Sequence, residues 1–555
     1  MSTYQKITFA FFLILGVLVQ ITPVIRSGLT YEYGIGYWGP SGHDSVWHLS
    51  LINAINNPLS IDMPIFAGEK LINYHPFFNI FIAFVSKATS ISSELWLFQL
   101  SPILFSITLL VLSYILGKLV TGKHAGGIIL LLLNSLATSL GPIVSLIRYG
   151  NFQGESLFWA MQSPSNQINP PYTLSLILLT TLLILIYKKS SHYAIFFLLL
   201  ITLPITKAYS AVVGFSVYFM YTLRQVFFKK QYSHLLTFVL SLVVAISLFR
   251  IYNPESQNLF VFKPFWFINS MIDSPDKLFL PKVSSLRQTL ESSSAFDIRL
   301  PLVYIFSFII FIVGNYGFRL LGFIRLNSLP RLFNVSLLLN IIFLTLIPTL
   351  FIQQGTSWNT IQFIYYALFI SNIYLTLFIN SVIKHNWGKI VTVVIFIFYT
   401  LGFFGAMPNY LGGAPPAFLP TPEIQALDFL RSQKKGIVLT VPYDKYIKDS
   451  LTAPVPLYAY ETTSYVSAYS HQTVYMEDEM NLNNSGYDFQ TRRQLSLDFF
   501  SQKDIHRDRG FLLNNNIDYI YLTGVQTDRF PLDTKKLFLT TIFQSGDSII
   551  YQVQK

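Results

Sequence analysis

The chain has 555 residues, of which 52% are apolar and only 12% are charged, with 50 Phe, 33 Tyr and a formal net charge of +11. This composition is typical of a membrane protein and excludes a single soluble domain. There is no cysteine, which excludes disulfides, zinc–thiolate sites and thiol nucleophiles.

Runs of about 20 apolar residues, the length that crosses roughly 30 Å of hydrocarbon, recur along the chain up to Met407. The first run is interpreted as an uncleaved anchor, because the sequence IRSGLTYEYGIG after it lacks a small-x-small cleavage pattern. The run at 75–88 has only about 14 residues and predicts a helix that lies in the membrane interface without crossing. The remaining pattern predicts eleven transmembrane helices, at residues 4–25, 95–117, 124–146, 172–187, 192–206, 208–226, 234–252, 301–322, 333–352, 361–383 and 390–407.

The distribution of charge predicts the orientation of these helices. If the amino terminus is cytoplasmic, the inner loops contain basic residues and no Asp or Glu, in agreement with the positive-inside rule. We therefore expect a multi-pass protein of the plasma membrane whose positive charge faces anionic lipid, and a nucleic-acid partner has no support. The inner basic residues are Lys118, Lys123, Lys188, Lys189, Arg224, Lys229, Lys230, Arg319, Arg325, Arg331, Lys384 and Lys389.

The composition changes after Met407, where the Pro- and Gly-rich stretch PNYLGGAPPAFLPTPEIQ reads as a linker. Strand-like runs follow at 436–441 and 517–523 among helical ones. Because an odd number of spans follows a cytoplasmic amino terminus, we expect this segment to lie outside the cell. The sequence thus predicts a polytopic α-helical membrane protein with three modules, a membrane module at 1–252, a variable membrane module at 253–407 and an extracytoplasmic α/β domain at 408–555.

The first outer loop contains His43, Asp44 and His48 within the stretch YWGPSGHDSVWHLSL. A helix here places Asp44 in the first turn and His48 one turn later on the same face. A carboxylate and an imidazole so arranged can share a proton, a metal ion or a substrate hydroxyl. Alternatively, Asp44 only caps the helix by accepting backbone N–H bonds, and the stretch itself leaves both interpretations open.

The stretch PIFAGEKLINYHPFFN follows, with Glu69, Tyr74, His75 and Pro76 just before the interfacial helix. An acidic residue on a short helix in the first outer loop, then a Tyr/His-Pro at the head of a second short helix, then a span, resembles the GT-C superfamily of membrane glycosyltransferases. This superfamily includes oligosaccharyltransferases, protein O-mannosyltransferases and aminoarabinose transferases. The resemblance extends over the membrane module to about Tyr252 and, more loosely, to the outer α/β domain.

The resemblance implies transfer of a sugar from a polyprenyl-phosphate donor to a glycan, lipid or protein acceptor outside the membrane. Asp44 matches the first-loop carboxylate of the family, which orients and deprotonates the acceptor in an inverting displacement. Where the family often has an adjacent pair of acids, this chain has Ser45, and Glu155 is the candidate for the second-loop acid. A divalent cation, Mg²⁺ or Mn²⁺, would have Asp44, His48 and Glu155 as ligands, although mixed His and carboxylate sets also form plain hydrogen-bond networks.

The implied catalytic residues are therefore Asp44, His48 and Glu155, and His43, Glu69, Tyr74 and His75 are expected to contact substrate. Gln162 and Asn166 lie in the second outer loop, RYGNFQGESLFWAMQSPSNQINPPY. Amides and aromatics together are typical of a sugar site, but an ordered polar loop that covers the helix ends would have the same composition.

Two basic residues are candidates for binding the leaving phosphate. Lys207 lies between two spans with hardly a loop, at a turn where the superfamily often has a lysine, and Arg148 is the second candidate. Snorkelling of Lys207 to the headgroups is the alternative. In the outer segment 353–368, Trp358 and Gln362 are expected to form a substrate-facing wall, although aromatic residues at an interface are usually belt residues.

Other function classes remain open. A non-catalytic scaffold or a component of polysaccharide polymerisation or export would also carry large outer loops, whereas a secondary transporter would show internal repeats and ionisable residues inside its spans. The carboxyl-terminal domain is expected to be an accessory acceptor-binding or a purely structural module. Its candidate residues are Tyr465, His471, Asp478, Tyr487, Asp488, Arg492 and Arg493.

Overall fold

The computed structural model describes residues 2–254, 260–293, 297–354, 356–502 and 504–555. Parts of the predicted outer segments 253–300 and 353–368 lie outside the described residues. The chain forms two compact units, the first made of Met1–Pro23, Pro102–Arg250 and Ser256–Leu411 and the second of Val24–Ser101, Ile251–Glu255 and Gly412–Lys555.

The first unit is built from apolar helices, because long runs of Leu, Ile, Phe and Val can satisfy their backbone groups only within a helix in a lipid environment. Within the described residues, nine helices are long and apolar enough to cross a membrane. The chain is thus a polytopic helical membrane protein. These helices are Thr3–Ile21, Ser93–Thr121, Pro170–Tyr187, Ala208–Lys229, Ser233–Tyr252, Arg299–Ser328, Arg331–Leu350, Ser357–Val382 and Asn386–Leu411.

Two of the eleven predicted spans have a different form. The span predicted at 124–146 is a pair of helices, His124–Leu136 and Gly141–Tyr149, bent by 51°. The second helix has Pro in its first turn, where the missing N–H costs no helical hydrogen bond. The span predicted at 192–206 is the 14-residue helix Tyr193–Thr206, which is shorter than a crossing helix requires. Nine helices, or ten with the bent pair, have the required length in the described chain, and the count of eleven stays a prediction.

Arg319 corrects the predicted inner loops. It was assigned to a solvated cytoplasmic loop, but it is only 1% exposed and lies within Arg299–Ser328. Its guanidinium donates from Nε to Asn372 Oδ1 at 2.8 Å, from Nη1 to Gln162 Oε1 at 2.9 Å and from Nη2 to the Ala137 carbonyl at 3.0 Å. The assignment failed because counting charges in loops gives no information on burial.

The rest of the first unit consists of shorter elements. A two-stranded antiparallel sheet joins Phe260–Phe262 to Phe351–Gln353. Two further helices, Trp266–Asp273 and Pro281–Ser292, precede the span that begins at Arg299.

The second unit contains two sheets, as expected for an α/β domain. The larger has the strand order Leu539–Ser545, Ser548–Val553, Ile517–Leu522, Ile437–Thr440 and Thr473–Val474. Its first three strands pair antiparallel with one another. Ile437–Thr440 pairs in parallel with both of its neighbours, Ile517–Leu522 and Thr473–Val474. Both strand-like runs predicted from the sequence are strands of this sheet. The helices of the carboxyl-terminal segment are Thr421–Ser432, Lys445–Asp449, Leu457–Tyr460, Tyr465–Ser470, Glu479–Ser485, Gln490–Phe500, Ile505–Asn514 and Val525–Arg529.

The smaller sheet joins the first outer loop to the carboxyl-terminal segment. Its strand order is Leu29–Tyr31, Gly34–Tyr37, Ala417–Pro420 and Val455–Pro456. Gly34 has φ 125°, and a Cβ at this position would collide with the Leu419 carbonyl oxygen, so the close approach of these strands requires glycine. The observed division therefore differs from the three predicted modules, because residues 24–101 belong with 412–555.

The predicted interfacial helix is present as Phe77–Thr89, with 13 residues. It is too short to cross a membrane. It buries Phe78, Asn79, Ile82 and Ala83 and leaves Phe84 68% exposed.

Candidate functional site

Asp44 begins a helix that is otherwise buried. A short turn, Gly39–Gly42, leads into the helix Asp44–Ala54, hereafter the Asp44 helix, in which Ser45 to Ile52 are all buried. The Asp44 side chain is 53% exposed. The helix is anchored to the helix Tyr465–Ser470 by a 2.7 Å bond between the Ser50 and Ser467 hydroxyls and by the Asn53 amide, which donates to the Ala468 carbonyl at 2.9 Å. A solvent-accessible carboxylate is thus held on a rigid support.

The ring of His43 lies between two carboxylates. Its Nδ1 is 2.8 Å from Asp44 Oδ1, and its Nε2 is 3.4 Å from Asp478 Oδ1. Burial alone would lower the pKa of His43, but the charge of Asp478 and the hydrogen bonds of both carboxylates outweigh burial and raise that pKa well above its usual value. The ring thus bonds to Asp44 through Nδ1, and its Nε2 faces the buried carboxylate of Asp478 as an ion pair.

Asp478 is held in place by its own helix. Its side chain is fully buried, and it caps Glu479–Ser485 by accepting from the Asn481 backbone N–H at 3.2 Å and from the Asn481 amide at 2.8 Å. Asp478 has φ 54°, an uncommon backbone conformation for a residue other than glycine. Sequence reasoning treated Asp478 only as part of an accessory module, since no local pattern connects it with the first outer loop.

The two neighbouring acids have other partners. Glu477 accepts from the backbone N–H groups of Val466 at 3.2 Å and Ser467 at 2.9 Å, and burial raises the pKa of Glu477 to about 8. Glu479 accepts from Arg493 Nε at 2.8 Å. Of the three consecutive acids, Asp478 is therefore the one that anchors His43.

The capping interpretation of Asp44 is not what the contacts show. The residue at the cap position is His43, which makes no side-chain capping bond, and Asp44 is the first helical residue. In the described part of the chain, the hydrogen-bond partner of the Asp44 carboxylate is His43.

We expect the stability that His43 contributes to fall as the pH rises. Because its pKa is raised above 6.5 in the folded protein, this contribution is fully present below about pH 6.5 and is lost as the pH rises through the folded-state pKa. Thermal unfolding in detergent from about pH 6 to 9 tests this for the wild type and for His43→Gln, which cannot be protonated. The difference in Tm should be widest near pH 6, and a difference that is constant or grows with pH would contradict a charged His43.

His48, the predicted partner of Asp44, lies in the packing of the two short helices. It is 7% exposed, and its Nδ1 is 3.1 Å from the Asn79 amide and 3.4 Å from the Tyr74 hydroxyl. The Tyr74 ring in turn meets Trp47 edge-on at 5.7 Å. The structure thus brings His48 and Tyr74 together. The imidazole beside Asp44 is that of His43 and not, as predicted, that of His48.

Glu69 and His75 have separate surroundings. The Glu69 carboxylate is exposed and lies 4.0 Å from the Arg492 guanidinium. The His75 ring is partly buried and lies 4.8 Å from the ring of Tyr74.

Glu155 belongs to the first unit. Its Oε1 accepts from the Gln162 backbone N–H at 3.2 Å and its Oε2 from the Ser165 hydroxyl at 2.9 Å, and burial raises the pKa of Glu155. Gln162 is 1% exposed and bonded to Arg319, and Asn166 is 4% exposed. The contacts of Gln162 and the burial of Asn166 are those of an ordered polar loop.

The predicted metal-binding residues do not assemble within one unit. Asp44 and His48 belong to the second unit and Glu155 to the first. Across the residues that the structure describes, no group of three or more His, Cys, Asp or Glu is placed to hold a metal ion. The Mg²⁺ or Mn²⁺ site with these three ligands therefore stays a prediction.

The four remaining candidates all lie in the first unit. Lys207 is only 5% exposed, which disfavours snorkelling to the headgroups, whereas Arg148 is exposed and donates to the Leu278 carbonyl. Trp358 is 49% exposed, as expected for a belt residue. The Gln362 amide donates to Asn359 Oδ1 at 3.3 Å, and its buried oxygen has no hydrogen-bond donor among the described residues.

No protein-family model matches the chain, and no curated protein matches it. Solved structures of the oligosaccharyltransferase AglB of Archaeoglobus fulgidus are similar to it. One, a complex with zinc and sulfate, has a TM-score of 0.46 at 14% identity and covers 92% of this chain and 68% of that chain. A second, tethered with an acceptor peptide containing the NVT sequon, has a TM-score of 0.48 at 12% identity and covers 100% of this chain and 75% of that chain.

A third structure, AglB in complex with an inhibitory peptide and a dolichol-phosphate, has a TM-score of 0.46 at 12% identity and covers 95% of this chain and 70% of that chain. TM-scores below 0.5 at such identities establish no shared activity. The function of this chain therefore has to follow from its own residues.

Proposed function

We propose that the chain is a membrane glycosyltransferase that moves a hexosyl or pentosyl group from a polyprenyl-phosphate donor to an acceptor on the extracytoplasmic side. The observation that carries the proposal is the arrangement of Asp44, His43 and Asp478. An exposed carboxylate on a rigid helix, paired with an imidazolium that a second, buried carboxylate holds in place, is suited to general-base catalysis.

In the proposed reaction Asp44 accepts the proton of the acceptor nucleophile as that nucleophile attacks the anomeric carbon. The bond between the anomeric carbon and the phosphate oxygen breaks on the opposite face, and polyprenyl phosphate leaves with the bonding electrons. The configuration at the anomeric carbon is inverted. His43 acts as a positioning residue, because its imidazolium fixes the carboxylate through Oδ1 and leaves Oδ2 available to the acceptor.

The leaving phosphate requires positive charge. Lys207 is proposed for this role, because it lies at a junction between two helices where the GT-C superfamily often has a lysine. Arg148, exposed at the end of its helix, is the second proposed phosphate ligand.

The proposed side of catalysis is extracytoplasmic, with the amino terminus in the cytoplasm. This orientation is supported by the excess of basic residues in the loops that the positive-inside rule assigns to the cytoplasm. Arg319 no longer counts among them, because it is buried within a helix. We expect a phosphatase reporter fused after Lys555 to be active, because such a reporter works only outside the cytoplasm. An inactive reporter on an inserted protein would contradict this orientation.

The proposal predicts that the purified protein in lipid nanodiscs consumes a polyprenyl-phosphate sugar. We expect label from a panel of radiolabelled polyprenyl-phosphate hexoses and pentoses to appear in cell-envelope acceptor fractions, with an equal amount of polyprenyl phosphate released. A folded protein that leaves every lipid in the panel intact with every acceptor fraction would contradict the proposal and favour a scaffold.

A further inference from the structure

The first unit contains a cavity of about 370 Å³ that the proposed chemistry has not used. It lies between the loop at 153–168 and the end of the last span, and it combines a carboxylate, two aromatic rings and amide side chains. The polar and aromatic residues that line it include Glu155, Trp159, Ser165, Asn409 and Tyr410.

The carboxylate of Glu155 is fixed at the wall of this cavity. Bonds from the Gln162 backbone and the Ser165 hydroxyl use one acceptor position on each oxygen, and a carboxylate has about four such positions. Glu155 can therefore accept further hydrogen bonds from a bound molecule. The hydroxyl of Tyr410 interacts with Ser165, and Asn409 beside it is exposed.

Trp159 is held at the cavity in an unusual backbone conformation. It has φ 76° and ψ −50°, which is a strained region for a bulky residue and marks functional sites more often than ordinary loops. The same loop is closely packed at its start, where Gly154 has φ 102° and a Cβ on Gly141 would collide with the Gly154 carbonyl oxygen. The indole Nε1 of Trp159 has no hydrogen-bond partner among the described residues.

Size and charge narrow the class of ligand. The volume is at the lower end of the roughly 300–1,000 Å³ that small-molecule sites occupy, which suits one saccharide ring and not a long oligosaccharide. No Lys or Arg is among the described residues that line it, and the Lys277 ammonium lies beside the cavity, 4.4 Å from the centre of the Trp159 ring. Hydroxyl groups are matched by carboxylate and amide groups, and the apolar face of a sugar ring is matched by aromatic rings.

We propose that this cavity is a saccharide-binding subsite that takes the sugar ring of the lipid-linked donor, with Glu155, Trp159 and Asn409 as the residues that determine which sugar is accepted. The inference rests on the proposed function. It assigns Glu155 a role in sugar recognition in place of metal binding. The donor is preferred over the acceptor as the source of the sugar because the cavity belongs to the unit that contains the membrane-crossing helices.

The test is a binding measurement on the full chain in nanodiscs, without acceptor. Its probes are a panel of polyprenyl-phosphate monosaccharides, sugarless polyprenyl phosphate and the free monosaccharides. We expect the wild type to bind one sugar-bearing lipid more tightly than the sugarless lipid. Glu155→Gln should weaken that binding about 10- to 100-fold and Asn409→Ala about 3- to 10-fold, with affinity for sugarless lipid unchanged.

Two further variants separate a subsite from a structural effect. Trp159→Phe should reduce the preference for the sugar-bearing lipid, whereas the matched control Trp266→Phe should not, because Trp266 packs against Trp159 at 5.8 Å without lining the cavity. Asn409 is exposed, so its replacement by Ala should leave folding intact even if Glu155→Gln does not fold.

The outcomes distinguish this inference from the proposed function. If the wild type transfers sugar while all three cavity variants keep the full preference, the subsite is wrong and the transferase proposal stands. A wild type with no preference for any sugar-bearing lipid would also overturn the subsite. Binding of a free monosaccharide that the cavity variants weaken, with lipid binding unaltered, would show that the ring belongs to the acceptor and would overturn the donor assignment.

Discussion

Asp44→Asn is expected to lower the rate of sugar transfer by about 10²–10⁴, the usual cost of losing a general base. The amide preserves the size of the side chain and can still interact with His43 Nδ1, but it cannot take a proton from the acceptor. Because the Asp44 side chain is 53% exposed, its replacement should have little effect on unfolding. Transfer of labelled sugar from a polyprenyl-phosphate donor is the measurement, with thermal unfolding in detergent measured alongside.

Two variants serve as comparisons. Asp62→Asn changes another acid of the same loop, whose 64% exposed side chain pairs with Lys70 at the surface, and it should transfer sugar at the wild-type rate. His48→Ala should cause a smaller loss than Asp44→Asn. Near-normal transfer by a folded Asp44→Asn protein would rule out Asp44 as the base.

Arg319→Met should destabilise the membrane unit by at least about 3 kcal/mol. The guanidinium donates to Asn372, to Gln162 and to the carbonyls of Ala137 and Thr138, and each buried acceptor that loses its donor costs about 1–3 kcal/mol. In addition, Gln162 would lose the bond that helps to position the loop of Glu155. The expected observation is a large fall in the apparent Tm in detergent.

Arg325→Met is the matched control, because Arg325 lies in the same stretch but is exposed, and its side chain donates from Nε to the Ser381 hydroxyl at 2.9 Å. Its Tm should stay close to that of the wild type. Equal Tm values for the two methionine variants would mean that the network of Arg319 does not stabilise the fold.

Local pattern in the sequence was enough to predict several parts of this structure. Apolar length gave the helices of the membrane unit, the short run at 75–88 gave a helix of 13 residues that is too short to cross, and two strand-like runs gave two strands of the larger sheet. The position of Asp44 in the first turn of a helix was also predicted. All of these depend on residues that are close in sequence.

What could not be predicted depends on residues that are far apart in sequence. The contact of His43 with Asp478 joins the first outer loop to the carboxyl-terminal segment, and the bond of Arg319 to Gln162 joins a helix to a distant loop. Helical spacing favoured His48 over His43 as the partner of Asp44, since residues four apart share a face and adjacent residues do not. A left-handed conformation at Asp478 gives no signal in a single sequence either.

The pairing of Gly34–Tyr37 with Ala417–Pro420 has a consequence for biosynthesis. Roughly 380 residues separate the two strands in the sequence, so at about 5–20 residues per second the early strand emerges on the order of 20–80 s before its partner is made. Asp478 is synthesised later still. The contact of His43 with Asp478 is therefore completed only late in translation, and a nascent chain that stalls before this point carries His43 and Asp44 without the carboxylate of Asp478.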